Sequence, residues 1–143
     1  MTTKEKLLAL LEDSKGTFFS GEEIARTLQV SRAAVWKAVN ALREDGYTID
    51  AATNKGYRLS PDSDILSPQG IRRFLKPEYR DLDLTVLPTA PSTNALVREK
   101  ANQGRPEGCV IVACEQTAGR GRYGRQFFSP VDSGVYLSLL LRP

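Results

Sequence analysis

The sequence predicts an α+β chain in two parts, and three observations carry that prediction. Residues 1–60 hold three stretches of helical periodicity, each opened by a capping residue, followed by a short paired-strand pattern. Ser60-Pro61-Asp62-Ser63-Asp64 then breaks the periodicity. From residue 67 to 143 strand-like and helical segments alternate, as in a mixed sheet with helices. The expected division is a domain at 1–60, a linker at 61–66 and an incomplete α/β domain at 67–143.

Thr2 with Glu5 and Ser20 with Glu23 fit the capping box, in which N-cap and N3 side chains each satisfy the other's free backbone N–H. Leu7, Leu8 and Leu11 form one apolar stripe, and Ile24, Ala25 and Leu28 a second. The turn Gln29-Val30-Ser31 leads into a third helix over Arg32–Glu44, with Ser31 as N-cap and Gly46 past its end. Val35, Ala38, Val39 and Leu42 point inward on this reading, which leaves Arg32, Ala33, Trp36, Lys37, Asn40 and Arg43 outside. Tyr47–Asp50 and Tyr57–Leu59 read as paired strands around a turn of Asn54, Lys55 and Gly56.

Helix, tight turn, helix and hairpin is the order of a winged helix-turn-helix, in which the later helix enters the major groove and the wing reaches the neighbouring backbone. Ser31, Arg32, Ala33, Trp36, Lys37, Asn40, Arg43 and the wing-tip Lys55 are the candidate DNA contacts, with donors for phosphates and base edges. A winged helix that uses this face for protein contacts has the same pattern.

In the second part Ser67 and Pro68 open a helix with Ile71, Phe74 and Leu75 as its apolar face. Leu82, Leu84 and Val86 alternate as a strand, and Asn94–Gln103 is a helix closed by Gly104. Cys109–Glu115 and Val135–Leu141 supply further strands. Val135, Leu137, Leu139 and Leu141 share one face of the last, and Tyr136 and Leu140 the other, so both faces ask for cover. Two helices are a thin supply, and the chain reads as truncated.

Between those strands lies the most telling segment, Gly119-Arg120-Gly121-Arg122-Tyr123-Gly124-Arg125. Glycines let a backbone approach a ligand and arginines offer planar forks of donors, so the run suits phosphate or carboxylate. No Gly-Lys-Ser/Thr follows, which excludes a Walker A loop. Gly/Arg runs also occur in disordered nucleic-acid binders, but flanking strand patterns place this one inside a folded domain.

Composition narrows the chemistry. The chain has no histidine, which removes Ser-His-Asp and Cys-His catalysis. Cys109 and Cys114 match no zinc or redox spacing and read as buried free thiols, and no metal site is expected. The net charge of +3 divides almost evenly: nine basic against eight acidic residues in 1–60, eleven against nine in 61–143. Overall charge therefore names no partner. No signal peptide or apolar run of about 20 residues is present, so a cytoplasmic protein without membrane contact is expected.

The winged helix, the triplet Ser92-Thr93-Asn94 and the run from Glu115 through Gly119–Arg125 to Phe127-Phe128-Ser129-Pro130 together resemble the bifunctional biotin protein ligase and biotin operon repressor family, N-terminal portion. The resemblance covers essentially the whole chain. It implies a ligase catalytic domain in the second part, activating biotin with ATP and Mg²⁺ to biotinyl-5′-adenylate and transferring it to a lysine of a biotin carboxyl carrier protein. It also implies a homodimer on operator DNA, repressing the biotin operon.

By motif, Ser92, Thr93, Asn94, Gln116, Gly119, Arg120, Gly121 and Arg122 bind biotin. Arg122, Arg125 and Phe127 meet ATP, with Phe127 where many relatives stack tryptophan on adenine. Arg120 and Arg122 are the catalytic candidates, since a carboxylate attacking an α-phosphate brings two anions together. Ser92 also fits a plain helix cap. The family's Lys-Trp-Pro-Asn-Asp motif is absent, so this incomplete copy is expected to be inactive alone. A non-catalytic winged-helix regulator with a biotin-sensing domain remains the alternative.

Overall fold

The computed structural model describes residues 1–143 and forms two compact units, Met1–Phe74 and Leu75–Pro143. In the first, α1 (Thr3–Asp13), α2 (Gly21–Leu28) and α3 (Arg32–Glu44) precede a hairpin of β1 (Ile49–Ala52) and β2 (Gly56–Leu59). The Thr2–Glu5 capping box closes in both directions, Glu5 N–H donating to Thr2 Oγ1 at 3.2 Å and Thr2 N–H to Glu5 Oε2 at 2.8 Å. At α2 only Ser20 Oγ accepts, from Glu23 N–H, so that expected box is half formed. β1 starts two residues later than the sequence suggests, because Tyr47 N–H still reaches back to Leu42 C=O at the end of α3.

All the expected inward residues of the three helices enter one core except Leu28, which packs against it half-buried. Leu7, Leu11, Ile24, Val39 and Leu59 are wholly buried, and each such side chain contributes about 1.5–3 kcal/mol. β2 also bridges Phe19, whose N–H and C=O both pair with Tyr57 at 2.8 Å, so the wing is tied to the start of α2.

The helix at Ser67 departs from its expected allegiance. α4 (Pro68–Arg72) packs on α1 within the first unit, which therefore extends past residues 61–66 to Phe74. The cause is polar: Ser67 Oγ donates to the buried Glu12 carboxylate at 3.4 Å, and Arg73 Nη1 donates to Glu12 C=O at 2.5 Å. Phe74, expected on an apolar face, is instead exposed and lies beside the Arg73 guanidinium.

The second unit is a mixed three-stranded sheet in the order β3 (Leu84–Leu87), β4 (Val110–Ala113), β5 (Tyr136–Leu139), parallel then antiparallel. The parallel pair needs a crossover, and α5 (Thr93–Asn102) supplies it, packing Val97 on Cys109, Ile111 and Leu140. With α4 elsewhere, α5 is the only helix on the sheet. Of the two faces of the last strand that ask for cover, one has it: Leu140 and Ser138 are buried, while Val135, Leu137, Leu139 and Leu141 are 46–66% exposed. No helix is long and apolar enough to cross a membrane.

Candidate functional site

The end of β3, the start of α5 and the segment after β4 converge. Ala90 N–H donates to Glu115 C=O and Thr117 N–H to Ala90 C=O, both at 3.0 Å, which brings Ser92–Asn94 beside Gln116. Ser92 Oγ caps α5 by accepting from Ala95 N–H at 3.3 Å, so the plain helix-cap role is realised, and the same residue lines a cavity. That cavity is about 370 Å³, within the range of small-ligand sites, and its walls include Thr93, Asn94, Gln116, Arg120 and Phe127.

Its polar end is a connected network. Gln116 Oε1 accepts from Thr93 N–H at 2.9 Å, with Thr93 Oγ1 3.2 Å away, while Gln116 Nε2 donates to Ser129 Oγ at 3.0 Å. Ser129 Oγ in turn donates to Phe127 C=O at 3.2 Å. Because a hydroxyl has one proton, that donation obliges Ser129 to accept from the glutamine, and the Gln116 amide is held in one orientation. Thr93 Oγ1 meets Ser138 Oγ at 2.8 Å, and Ser138 donates to Asn94 Oδ1. Ser129 and Ser138 are site residues that the sequence reading missed. For Ser138 the signal was a polar residue set between Tyr136 and Leu140 on the inward side of an apolar strand; Ser129, in an irregular segment, carried no such pattern.

A second cavity of about 970 Å³ adjoins the first through shared walls, Gln116, Arg120 and Phe127, and is completed by Gly119, Gly124 and Arg125. Here the loop is shaped by backbone bonds: Phe127 N–H to Gly119 C=O at 2.9 Å and Gly121 N–H to Arg125 C=O at 2.7 Å. Arg120, Arg122 and Arg125 are exposed, and none of the four ion pairs of the chain involves them. Three guanidinium groups thus stand without an internal carboxylate. Gly121 and Arg122 line neither cavity, so of the expected binding residues these two are not brought to the walls. No group of three or more acidic, thiol or imidazole side chains converges.

Of the two cysteines, Cys109 is buried and Cys114 half-buried, both free. Burial pushes the Cys109 thiol above its ordinary range, and neighbouring Asp83 adds to the effect.

In the first unit Trp36 is 60% exposed and, with Arg32 and Ala33, lines a concavity between α3 and the wing residues Ala51–Asn54. Ser31 is engaged as the cap, accepting from Ala34 N–H at 3.1 Å. Lys37 is exposed and Asn40 half-buried on the same helix. Lys55 sits 5.7 Å from the Phe18 ring, with Arg58 over the same ring at 4.7 Å. Arg43 donates twice to Ile49 C=O, at 2.7 and 3.2 Å, and so serves first to fasten α3 to β1.

Comparison with known proteins agrees with this division. Residues 3–58 match the family model of an HTH domain, and residues 86–143 that of the biotin/lipoate A/B protein ligase family. Along nearly its whole length the chain is similar to the proteins named bifunctional ligase/repressor BirA. It is 41% identical over 142 residues to that of Bacillus subtilis (strain 168), covering 99% of this chain and 44% of the relative. To that of Escherichia coli (strain K12) it is 36% identical over 141 residues, 99% of this chain and 42% of the relative. The chain thus spans less than half the length of these relatives, and the resemblance to the N-terminal portion of the ligase/repressor family is borne out in both domains.

Proposed function

We propose that this chain carries the operator-binding domain and the biotin- and nucleotide-contacting part of a biotin protein ligase that also represses transcription in response to biotin. The observation that carries the reading is the junction of the two cavities at Gln116, Arg120 and Phe127: a neutral, hydrogen-bonding compartment opens directly onto an arginine-lined one. Biotin has the complementary form, a neutral cyclic urea joined by an apolar arm to a carboxylate.

In the reaction the biotin carboxylate attacks the α-phosphate of ATP, pyrophosphate leaves, and the mixed anhydride biotinyl-5′-adenylate results. A carrier-protein lysine then takes the acyl group and releases AMP. Two anions must meet in the first step, so the role of Arg120, with Arg122 and Arg125 contributing from the loop, is to offset their repulsion and the charge of the transition state. Phe127 offers a ring for the adenine, with less surface than tryptophan. Mg²⁺ would arrive on the nucleotide phosphates, which supply most of its ligands in sites of this kind.

Ser92, Thr93, Asn94 and Gln116 are proposed to hold the urea, Gly119 and Gly121 to let the loop close over the carboxylate. In the first unit Arg32, Trp36, Lys37 and Asn40 are proposed to face the major groove, with Lys55 at the adjoining backbone. A homodimer would present two such domains to two half-sites. These 143 residues contain no Lys-Trp-Pro-Asn-Asp segment, and on their own are proposed to turn over no carrier protein.

Calorimetry with biotin and with biotinyl-5′-adenylate tests the reading. Heat with both, larger with the adenylate, is expected; no heat with either sinks the ligand assignment. Adenylate formation from labelled biotin and ATP, followed alongside, separates a ligase from a regulator that senses biotin without chemistry.

A further inference from the structure

We propose that Ser138 is a positioning residue of the smaller cavity, fixing the Asn94 carboxamide so that its NH₂ group, and not its oxygen, is presented to the ligand. The proposal rests on the reading of that cavity as the site of a cyclic urea, and it adds a residue from β5 that the Ser92-Thr93-Asn94 triplet cannot provide.

The argument is a count of protons. Ser138 is buried on the α5-facing side of β5, opposite Ile111 in the strand pairing. Its single hydroxyl proton goes to Asn94 Oδ1. At the 2.8 Å contact with Thr93 Oγ1, Ser138 can then only accept, so the single threonine proton goes to Ser138 across this shorter contact and not to Gln116 Oε1 at 3.2 Å, which keeps its bond from Thr93 N–H. The relay runs Thr93 to Ser138 to Asn94 and ends on the amide oxygen. With Oδ1 engaged, both Nδ2 protons of Asn94, an exposed residue on the cavity wall, are left for a ligand.

Gln116 is held in the same sense, since Oε1 is engaged by Thr93 and Nε2 keeps one proton beyond the bond to Ser129. The polar end of the cavity therefore offers donors from two amides. It suits a carbonyl oxygen and disfavours a group that can only donate. Turning the Asn94 amide over would reverse the relay and put an acceptor in the same place.

Two probes that differ at one atom test this. Biotin carries a urea oxygen; 2-iminobiotin carries a cyclic guanidinium there, a donor without an acceptor. Calorimetry on the 143-residue protein is expected to show wild type favouring biotin. Ser138→Ala should weaken biotin about tenfold, the loss of one positioned hydrogen bond, while leaving 2-iminobiotin unchanged or improved. Ser138→Thr, which keeps the hydroxyl, should restore the preference. Equal weakening of both ligands by Ser138→Ala would show a structural role only and overturns the proposal. Thermal melting of each variant reports any folding defect.

If wild type binds neither probe, the urea reading of the cavity fails by itself, and NMR of the unliganded protein still decides the relay. A slowly exchanging Ser138 hydroxyl proton, with Asn94 NH₂ protons open to water, supports it. An Asn94 NH₂ proton protected against Ser138 Oγ refutes it.

Discussion

The three glycines of the arginine loop are alike in sequence and unlike in structure, which makes Gly119→Ala a sharp perturbation. A Cβ added at Gly119 would lie 2.6 Å from Phe127 C=O, 2.6 Å from Ser129 Oγ and 3.2 Å from Gln116 Nε2. Ordinary contact begins near 3.4 Å, so the 127–129 segment must retreat by about 0.8 Å. Backbone cannot rotate away as a side chain can. Such a retreat breaks the 2.9 Å bond from Phe127 N–H to Gly119 C=O and the 3.0 Å bond from Gln116 to Ser129.

Overpacking of this kind costs about 1–3 kcal/mol and each lost hydrogen bond about 1 kcal/mol, so the loop's base should weaken by roughly 3 kcal/mol. Gly121→Ala is the control: φ is −94°, and the new Cβ would make only ordinary contacts at 3.7 Å with Arg125, so it should cost under about 0.5 kcal/mol. Gly124 lies between, with φ +72° and open space around it, and its alanine should cost about 1 kcal/mol in backbone strain alone. Hydrogen exchange at the Phe127 amide reads the effect directly, with amides of the first unit as internal reference. Gly119→Ala should accelerate Phe127 exchange about a hundredfold with the reference unmoved; unchanged protection there, or equal effects at all three glycines, would refute the reasoning.

Other outcomes follow from the same geometry. Lys37→Ala should weaken operator binding and lower the salt slope by about one unit without changing the melting temperature, as gel-shift titrations across salt would record. Arg43→Ala should instead lower stability by about 1–2 kcal/mol in urea unfolding, because its bonds to Ile49 C=O fasten α3 to β1. Alkaline pH should destabilise both units. Cys109, Tyr47 and Lys4 all have folded pKa values raised above ordinary values of 9.0, 10.0 and 10.5, by burial for the first two and by the hydrogen bond to Asp45 for the lysine. Their stabilisation is full below those values and is lost as pH rises through the folded ones, so the urea midpoint should fall from about pH 9 upward, and Tyr47→Phe should lessen the fall.

How much of this was legible in sequence depended on the range of the interaction. Caps and apolar stripes are local, so Thr2, Ser20, Ser31, Ser67 and Ser92 all sit where they were expected. The allegiance of α4 was not local: it is settled by Glu12, 55 residues earlier than Ser67 and without any pattern that marks it as buried. The triplet Ser92–Asn94 and Gln116 could be named from their motifs, but not the partners that orient them. Ser138 looks like one polar break in an apolar strand until register sets it opposite Ile111 and beneath Thr93. Arg43 shows the converse, a residue assigned to the outer face whose guanidinium turns back onto the fold.

The contrast between the two cavities bears on the order of events at the site. Every buried side-chain polar atom in the chain has a hydrogen-bond partner, and the amides of the smaller cavity are fixed by relays through Ser129 and Ser138. A neutral head group entering there meets donors already aimed, so little ordering entropy is spent on it. The arginines face the opposite situation. Their loop is pinned by backbone bonds at Gly119–Phe127 and Gly121–Arg125, yet the guanidinium groups have no carboxylate to hold them. Exposed cations a few residues apart repel only weakly in water and salt, so the fold tolerates them unpaired. Their pairing energy is therefore withheld until an anion arrives, and it grows as that anion displaces water. On this division of labour, truncating Gln116 should slow or weaken the capture of the neutral head group, whereas truncating Arg120 should weaken biotin through its carboxylate and the adenylate through its phosphate, and do so more strongly as salt is lowered.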